Sequence, residues 1–554
     1  MFIPHPLLIA AVFVGLILRL LNLTGKPLWM DEVITQIFSL GQTYDVITTG
    51  STRTVAVIAE TLQFTPSTCA AITSHVMVQS VHPPLFFCTL HQWLALLQHS
   101  RFDIIWQMRS FAALLGTATI GLAYAIGRVA FRSQRIALGS AWVMAVSPFA
   151  IYLSQEARHY TMPMAIVMLG LLCLSQIQQD WRNGMINPWV WIGWTIAQTL
   201  GLYTHYFCVM ATIGQIGALL IWQWYWKRSG GKSPFPAFWV PVAFVITAIS
   251  FNYAPWIRTM VSHVTRPETN WMKSFEPNLL TALAPLWQLP IGWLSMVVAF
   301  PVEGQALWKV IPTAIVMLGF GLWIVQQTAF GLRQLWRDRQ QHHSLILIGS
   351  FLSIVLIEFF IVIFGLGKDI AQVPRYNFIY YPAVCLLVGA GLVAAEANQP
   401  KSPDRSWQPL FALILVGSLS AIFINANLAF QKPFRPEQVA SRITRVQSPA
   451  TVVMGYESYQ ELALGMSFVL ALREVEPRTK FLFLDRSTGY ESIFKIFPKL
   501  VTNENFWLIG PGLRQRDFPN LTEVGNRQCR RMPEQYYRIG IPYQGYQCTP
   551  PEKV

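Results

Sequence analysis

Charge is what this chain has least of. Asp, Glu, Lys and Arg make up 12% of its 554 residues, against 53% hydrophobic residues. Soluble domains carry about 25% charged residues, so a water-soluble surface is excluded and a polytopic membrane protein is expected. Acidic residues are the scarcer sign: 27 stand against 41 Lys and Arg, for a net charge of +14. In a membrane chain that surplus points to cytoplasmic loops and anionic lipid rather than to nucleic acid. Cysteine is sparse as well, and the seven present form no CxxC and no Cys/His metal spacing. Cys173, Cys208 and Cys385 fall in apolar stretches as core fillers, leaving Cys69, Cys88, Cys529 and Cys548. No stretch reads as a cleavable signal peptide. The stretch from Pro6 to Leu23 is long enough to span, contains Arg19 and is followed by no small-x-small site, so it reads as an anchor.

Apolar runs of spanning length fall near 6–23, 108–130, 137–153, 160–178, 189–207, 209–226, 237–256, 309–330, 345–366, 376–396 and 408–427. They predict about eleven transmembrane helices. The basic clusters Arg128/Arg132/Arg135, Arg182, Lys227/Arg228/Lys232, Arg333/Arg337/Arg339 and Lys401/Arg405 then share one side, which the positive-inside rule makes cytoplasmic. The N-terminus is placed on that side too, against a local signal from Lys26 on the outer flank of the first span. Leu85 to Leu97 is too short to cross and is read as interfacial; Leu279 to Phe300 is read as broken by Pro285, Pro290 and Gly292.

This topology divides the chain into a transmembrane module, 1–430, with outer loops 24–107 and 257–308, and an extracytoplasmic tail, 431–554. In the tail, Thr451 to Tyr456, Lys480 to Asp485 and Asn505 to Gly510 read as strands, and Tyr459 to Ala471 and Tyr490 to Phe497 as helices. The alternation predicts a small α/β domain with a parallel sheet. Without GxGxxG or GxxxxGK it carries no nucleotide motif. Outside the cytoplasm a Cys529–Cys548 disulfide is chemically allowed; two unrelated thiols are the alternative.

The unusual polar residues gather on the outer side. Trp29-Met30-Asp31-Glu32 follows the first span, and His82-Pro83-Pro84 lies in the first loop. Ser154 to Tyr160, with Glu156, Arg158 and Tyr160, links the third and fourth spans. His205 and Tyr206 lie between the fifth and sixth, and Arg375 and Tyr376 open the tenth. Clusters at one depth, drawn from distant positions, point to one shared cavity. Each has a plainer reading. The two carboxylates can cap the helix that follows, and Glu156 and Arg158 can form an interfacial ion pair. His82 can bond backbone around the prolines, His205 can belong to an aromatic belt, and Arg375 can anchor headgroups.

At these residues the chain resembles the GT-C glycosyltransferases, in particular the bacterial branch related to the protein O-mannosyltransferases and the lipid A aminoarabinose transferase. The resemblance rests on LRLLNLTGKPLWMDE, HPPLFF, MRSFAALLGTATIGLAYAIGRVAFRSQR, SPFAIYLSQEARHYTM and PRYNFIYYP. It implies an integral, multi-pass protein of a bacterial inner membrane that transfers a sugar from a polyprenyl-phosphate donor to a lipid, glycan or protein acceptor, with inversion. Through it Asp31 matches the first-loop catalytic acid-type residue, Glu32 its pair partner, and Glu156 and Arg158 the second-loop polar motif. No DxD motif indicates a divalent metal, and the tail does not resemble a β-trefoil. The chemistry fits these residue types independently. Asp31 suits the base, Arg158 and Arg375 suit a departing phosphate, and Trp29, Tyr160 and Tyr206 suit stacking on sugar or prenyl chain. The rival reading is a transporter or flippase of lipid-linked saccharides, for which inverted repeats and midplane charges are expected.

Overall fold

The computed structural model describes residues 5–231, 235–266, 279–397, 409–446, 448–494, 505–524 and 527–549. Lys232, Lys401 and Arg405 of the expected basic clusters lie outside them. The chain forms two compact units. The first comprises Met1–Gly25, Val81–Phe86 and Trp106–Gln431; the second comprises Lys26–Ser80, Phe87–Ile105 and Lys432–Val554.

Among the described residues, six helices are long and apolar enough to cross a membrane: Ile104–Phe131, Thr161–Arg182, Cys208–Arg228, Phe238–Val264, Leu307–Arg337 and Arg339–Gly365. The pair Gln134–Val146 and Pro148–Ser154, bent by 56°, makes a seventh if taken as one span. The remaining expected spans hold shorter apolar helices: α1 (Pro6–Leu20), Pro188–Leu202, Tyr381–Glu396 and Pro409–Asn425. Leu85–Leu97 is a helix of 13 residues, short for a crossing, as expected. Leu279–Val297 corrects the expectation of a broken segment, because the helix runs through both Pro285 and Pro290. Neighbouring helices and local adjustments can satisfy the carbonyls that proline frees. Small residues bring these helices close: a Cβ on Gly389 would lie 2.6 Å from the Cα of Ser140, so Tyr381–Ala397 and Gln134–Val146 cross nearly backbone to backbone.

Among the described residues, the second unit is built on one seven-stranded sheet of β1 (Arg53–Thr54), β2 (Thr451–Tyr456), β3 (Lys480–Asp485), β4 (Asn505–Ile509), β5 (Leu521–Val524), β6 (Arg527–Ile539) and β7 (Ile541–Cys548), in the order β1-β3-β2-β4-β7-β6-β5. The expected strands β2, β3 and β4 are parallel, with helix Tyr459–Val475 crossing between β2 and β3. The helix expected from Tyr490 begins there, and its last residues, 495–497, lie outside the described residues. The sheet is nonetheless mixed. β7 adds to β4 antiparallel, and β6 and β5 follow it. Gly540, at φ +80, turns β6 into β7 between the paired Ile539 and Ile541. The register slips between Arg531 and Tyr536, around Pro533, which has no N–H to give a ladder.

The other edge comes from far away in sequence. β1, in the loop after α1, pairs antiparallel with β3 through Arg53 opposite Phe481 and Thr54 opposite Lys480. The Tyr44 and Tyr459 rings stack at 4.8 Å. The α/β unit therefore reaches beyond 431–554 and takes in most of the first loop. Two disulfides lie in it. Cys529–Cys548 joins β6 to β7, which settles the open question of that pair; Cys69–Cys88 ties helix Cys69–Gln79 to helix Leu85–Leu97.

Candidate active site

The loop with the densest polar run follows a broken helix. Ser147 accepts from the Ala150 N–H and Pro148 opens the next turn, a helix start that forces the 56° bend. Arg19 of α1 locks the bend. Its fully buried guanidinium donates to the carbonyls of Met144 and Ala145, each at 2.9 Å, where the first half ends, and to Ser154 Oγ, at 3.2 Å, where the second half ends. Gln155 then donates to Asn425 Oδ1 at 2.6 Å and to Leu21 O at 3.1 Å. The segment after Gln155 thus leaves a fixed point.

From it Glu156, Arg158, His159 and Tyr160 enter the first unit buried. Arg158 Nη2 lies 3.2 Å from His82 Nε2. The His159 ring is 4.9 Å from His82, 4.7 Å from Tyr160 and 4.7 Å from His205. Arg158 and Arg375 approach the Tyr160 ring at 5.8 and 5.9 Å from its centroid. Tyr376 packs against Tyr160, His205 and Phe207. Four of the five sequence clusters therefore meet in one unit, through His82, Arg158, Tyr160, His205, Arg375 and Tyr376. Tyr206 is engaged elsewhere: its hydroxyl is 2.6 Å from His263 Nδ1 and accepts from Trp256 Nε1 at 3.2 Å. Glu156 is buried, and its carbonyl accepts from the Arg158 N–H at 2.7 Å, a tight turn.

The histidines are uncharged at neutral pH. Burial, then Arg158, His205, His263 and Arg375, hold His82 well below the usual histidine range. His159 is lowered by burial and by Arg158, and His205 is pushed down to about 3 by the same two causes. The positive charge belongs to Arg158 and Arg375, while the imidazoles present ring faces and neutral nitrogens.

The fifth cluster lies in the second unit. Trp29 is the N-cap of α2 (Met30–Ser39), and Asp31 and Glu32, 7% and 1% exposed, occupy its first turn. Carboxylates there offset the unpaired N–H groups of a helix start, so the plainer capping reading holds for their position. The Lys432 ammonium stands 4.4 Å from the Trp29 ring centroid. Among the described residues no three His, Cys, Asp or Glu side chains are grouped to hold a metal ion.

Sequence reasoning missed His159, Phe207, Phe378 and Lys432. His159 lay in the quoted run SQEARHY, and its flanking Arg and Tyr were the only signal. Phe378, 4.9 Å from His205 and 5.8 Å from Tyr160, resembles any membrane phenylalanine, and nothing short of the fold identifies it.

Residues 92–260 match the family model described as dolichyl-phosphate-mannose-protein mannosyltransferase. No curated protein matches the sequence. Among solved structures, the oligosaccharyltransferase of Archaeoglobus fulgidus in complex with zinc and sulfate is similar, with a TM-score of 0.50 at 12% identity, over 91% of this chain and 68% of that one. ArnT from Cupriavidus metallidurans bound to undecaprenyl phosphate aligns with a TM-score of 0.48 at 11% identity, over 93% and 96% of the two chains. The S. cerevisiae protein O-mannosyltransferase Pmt1-Pmt2 complex bound to the sugar donor aligns at 0.35 and 16% identity, over 50% and 38%. The resemblance read from the motifs is borne out: residues 92–260 match the protein mannosyltransferase family model, and the chain shares the fold of the archaeal oligosaccharyltransferase.

Proposed function

We propose that this protein is an inverting glycosyltransferase that moves a sugar from a polyprenyl-phosphate donor to a lipid, glycan or protein acceptor on the outer face of the membrane. The observation that carries the reading is the pair of guanidiniums, Arg158 and Arg375, gathered on the Tyr160 ring beside neutral histidines. Guanidinium matches phosphate oxygens bidentately, and a ring-lined surround with little other charge suits a sugar joined to a prenyl chain. The family model named for a dolichyl-phosphate-linked mannose supports a donor of that class.

The chemistry asks little else. As the acceptor oxygen attacks the anomeric carbon, its proton passes to Asp31. The bond from that carbon to the phosphate oxygen breaks, and the polyprenyl phosphate departs with its electron pair. Phosphate is already a good leaving group, so no general acid is required. Arg158 and Arg375 take up the charge that grows on it. Glu32, buried in the same helical turn, is the second carboxylate of the pair, and Glu156, His82, His205 and Tyr376 belong to the donor-binding set.

The test is incubation of the purified protein with radiolabelled polyprenyl-phosphate sugars, scored for sugar-dependent release of lipid phosphate. Asp31→Asn should retain donor binding and lose transfer by about 100-fold or more, the usual cost of removing a general base. Full turnover in that variant removes Asp31 as the base. Movement of labelled lipid across vesicles with no phosphate released returns the flippase reading.

A further inference from the structure

The first turn of α2 is held from a distance. Within the second unit, β1 is paired to β3, Tyr44 is stacked on Tyr459, and Lys432 stands over Trp29. The last contact falls nearest the chemistry proposed for α2. Trp29 is the N-cap, it has no side-chain capping bond, and its ring is 3% exposed. Its carbonyl accepts from Glu32 N at 2.9 Å and from Val33 N at 3.1 Å, so the placement of Trp29 sets the first turn that carries Asp31. An ammonium at 4.4 Å from an indole centroid is within cation–π range, and a tryptophan face is the strongest partner for it. The residue that orients this turn thus comes from 400 positions further along the chain (432 against 29–32).

We propose that Lys432 is a positioning residue for the Asp31 base. It pins the Trp29 ring and with it the first turn of α2. The proposal rests on Asp31 being the base. A lysine held only to pack would need its stem alone, whereas this role needs the charge, so charge and stem can be separated by substitution.

Lys432→Met keeps the stem and removes the charge; Lys432→Arg keeps a cation able to lie on indole. Both are measured in the full-length protein for kcat and donor KM. In the methionine variant kcat should fall about tenfold with donor KM nearly unchanged. Lys432→Arg should recover most of kcat. Equal loss in both variants, or a rise in donor KM that matches the fall in kcat, overturns the role and leaves Lys432 a packing residue. Asp31→Asn run alongside separates the two ideas. Normal turnover there removes the base, while abolished turnover beside an unperturbed Lys432→Met removes only the lysine.

Discussion

Arg158 donates from Nη2 to Nε2 of His82 across 3.2 Å. A guanidinium has no acceptor, so His82 must take this bond on an unprotonated Nε2 and carry its proton on Nδ1. His82 is thereby a neutral brace for Arg158, and protonation would turn the acceptor into a donor facing a cation. Two structural facts follow from one geometry: the tautomer of His82 and the direction of the Arg158 fork.

The pH dependence of stability has a definite sign. His82, His159 and His205 are held below the ordinary histidine value in the folded protein, with Arg158 among the causes for each. The unfolded chain therefore binds more protons as pH falls below about 6.5. Stability should be full above that pH and decline beneath it, by at most about 1.4 kcal/mol per pH unit for each histidine. Thermal unfolding in detergent at pH 8, 6.5 and 5.5 reads this out. His159→Phe should flatten the decline between the two lower points, and an unchanged slope would mean that His159 does not contribute. Above pH 6.5 donor KM should not vary through His82.

Arg375→Lys separates a phosphate clamp from a headgroup anchor. If Arg375 grips phosphate with two parallel N–H groups, lysine preserves the charge yet loses the planar fork, and donor affinity should fall about tenfold or more. An interfacial anchor would tolerate lysine, because either side chain reaches headgroups. Equilibrium binding of a labelled polyprenyl-phosphate sugar decides between them. Wild-type affinity leaves Arg158 as the phosphate residue.

The membrane class was legible because apolar composition and run length are local properties. The βαβαβ core was legible for the same reason: β2, β3 and β4 fall where short apolar strand runs lie between turn signals. The antiparallel extension escaped because β6 is rich in arginine and broken at Pro533, so its alternation is poor. β1 escaped because two residues carry no pattern at all, and only their pairing with Phe481 and Lys480 makes them a strand. Within the site, charged and rare residues such as Arg158 and Arg375 announced themselves against an apolar background. Phe207 and Phe378 could not, since packing alone gives them a place there.

Arg19 shows how an expensive residue is retained in an apolar helix. Its guanidinium satisfies carbonyls that the Ser147–Pro148 bend would leave without partners, at Met144 and Ala145, and Gly116 leaves no room for a Cβ against Ser154 beside it. Arg19→Met should remove these bonds and strand two buried acceptors, costing about 2–4 kcal/mol. The expected readout is lower yield of folded protein and a lower unfolding temperature in detergent. Stability equal to wild type would show that the bend does not depend on the arginine.

Sidedness is the remaining test, and it follows from the basic loops together with the disulfides. Arg128, Arg132 and Arg135 flank the turn between helices Ile104–Phe131 and Gln134–Val146, which the positive-inside rule puts in the cytoplasm. The bonded pairs Cys69–Cys88 and Cys529–Cys548 belong to the second unit, and such bonds persist in oxidising compartments. A reporter fused after Val554 should therefore be active only outside the cytoplasm, and one inserted near Gln134 only inside. The same geometry makes a chemical statement: a thiol reagent applied to unreduced protein should label neither pair, and after reduction in intact cells an impermeant reagent should reach the second unit. Cytoplasmic activity of the C-terminal fusion would invert the arrangement and move the acceptor reaction to the other face of the membrane, whatever the identity of the sugar.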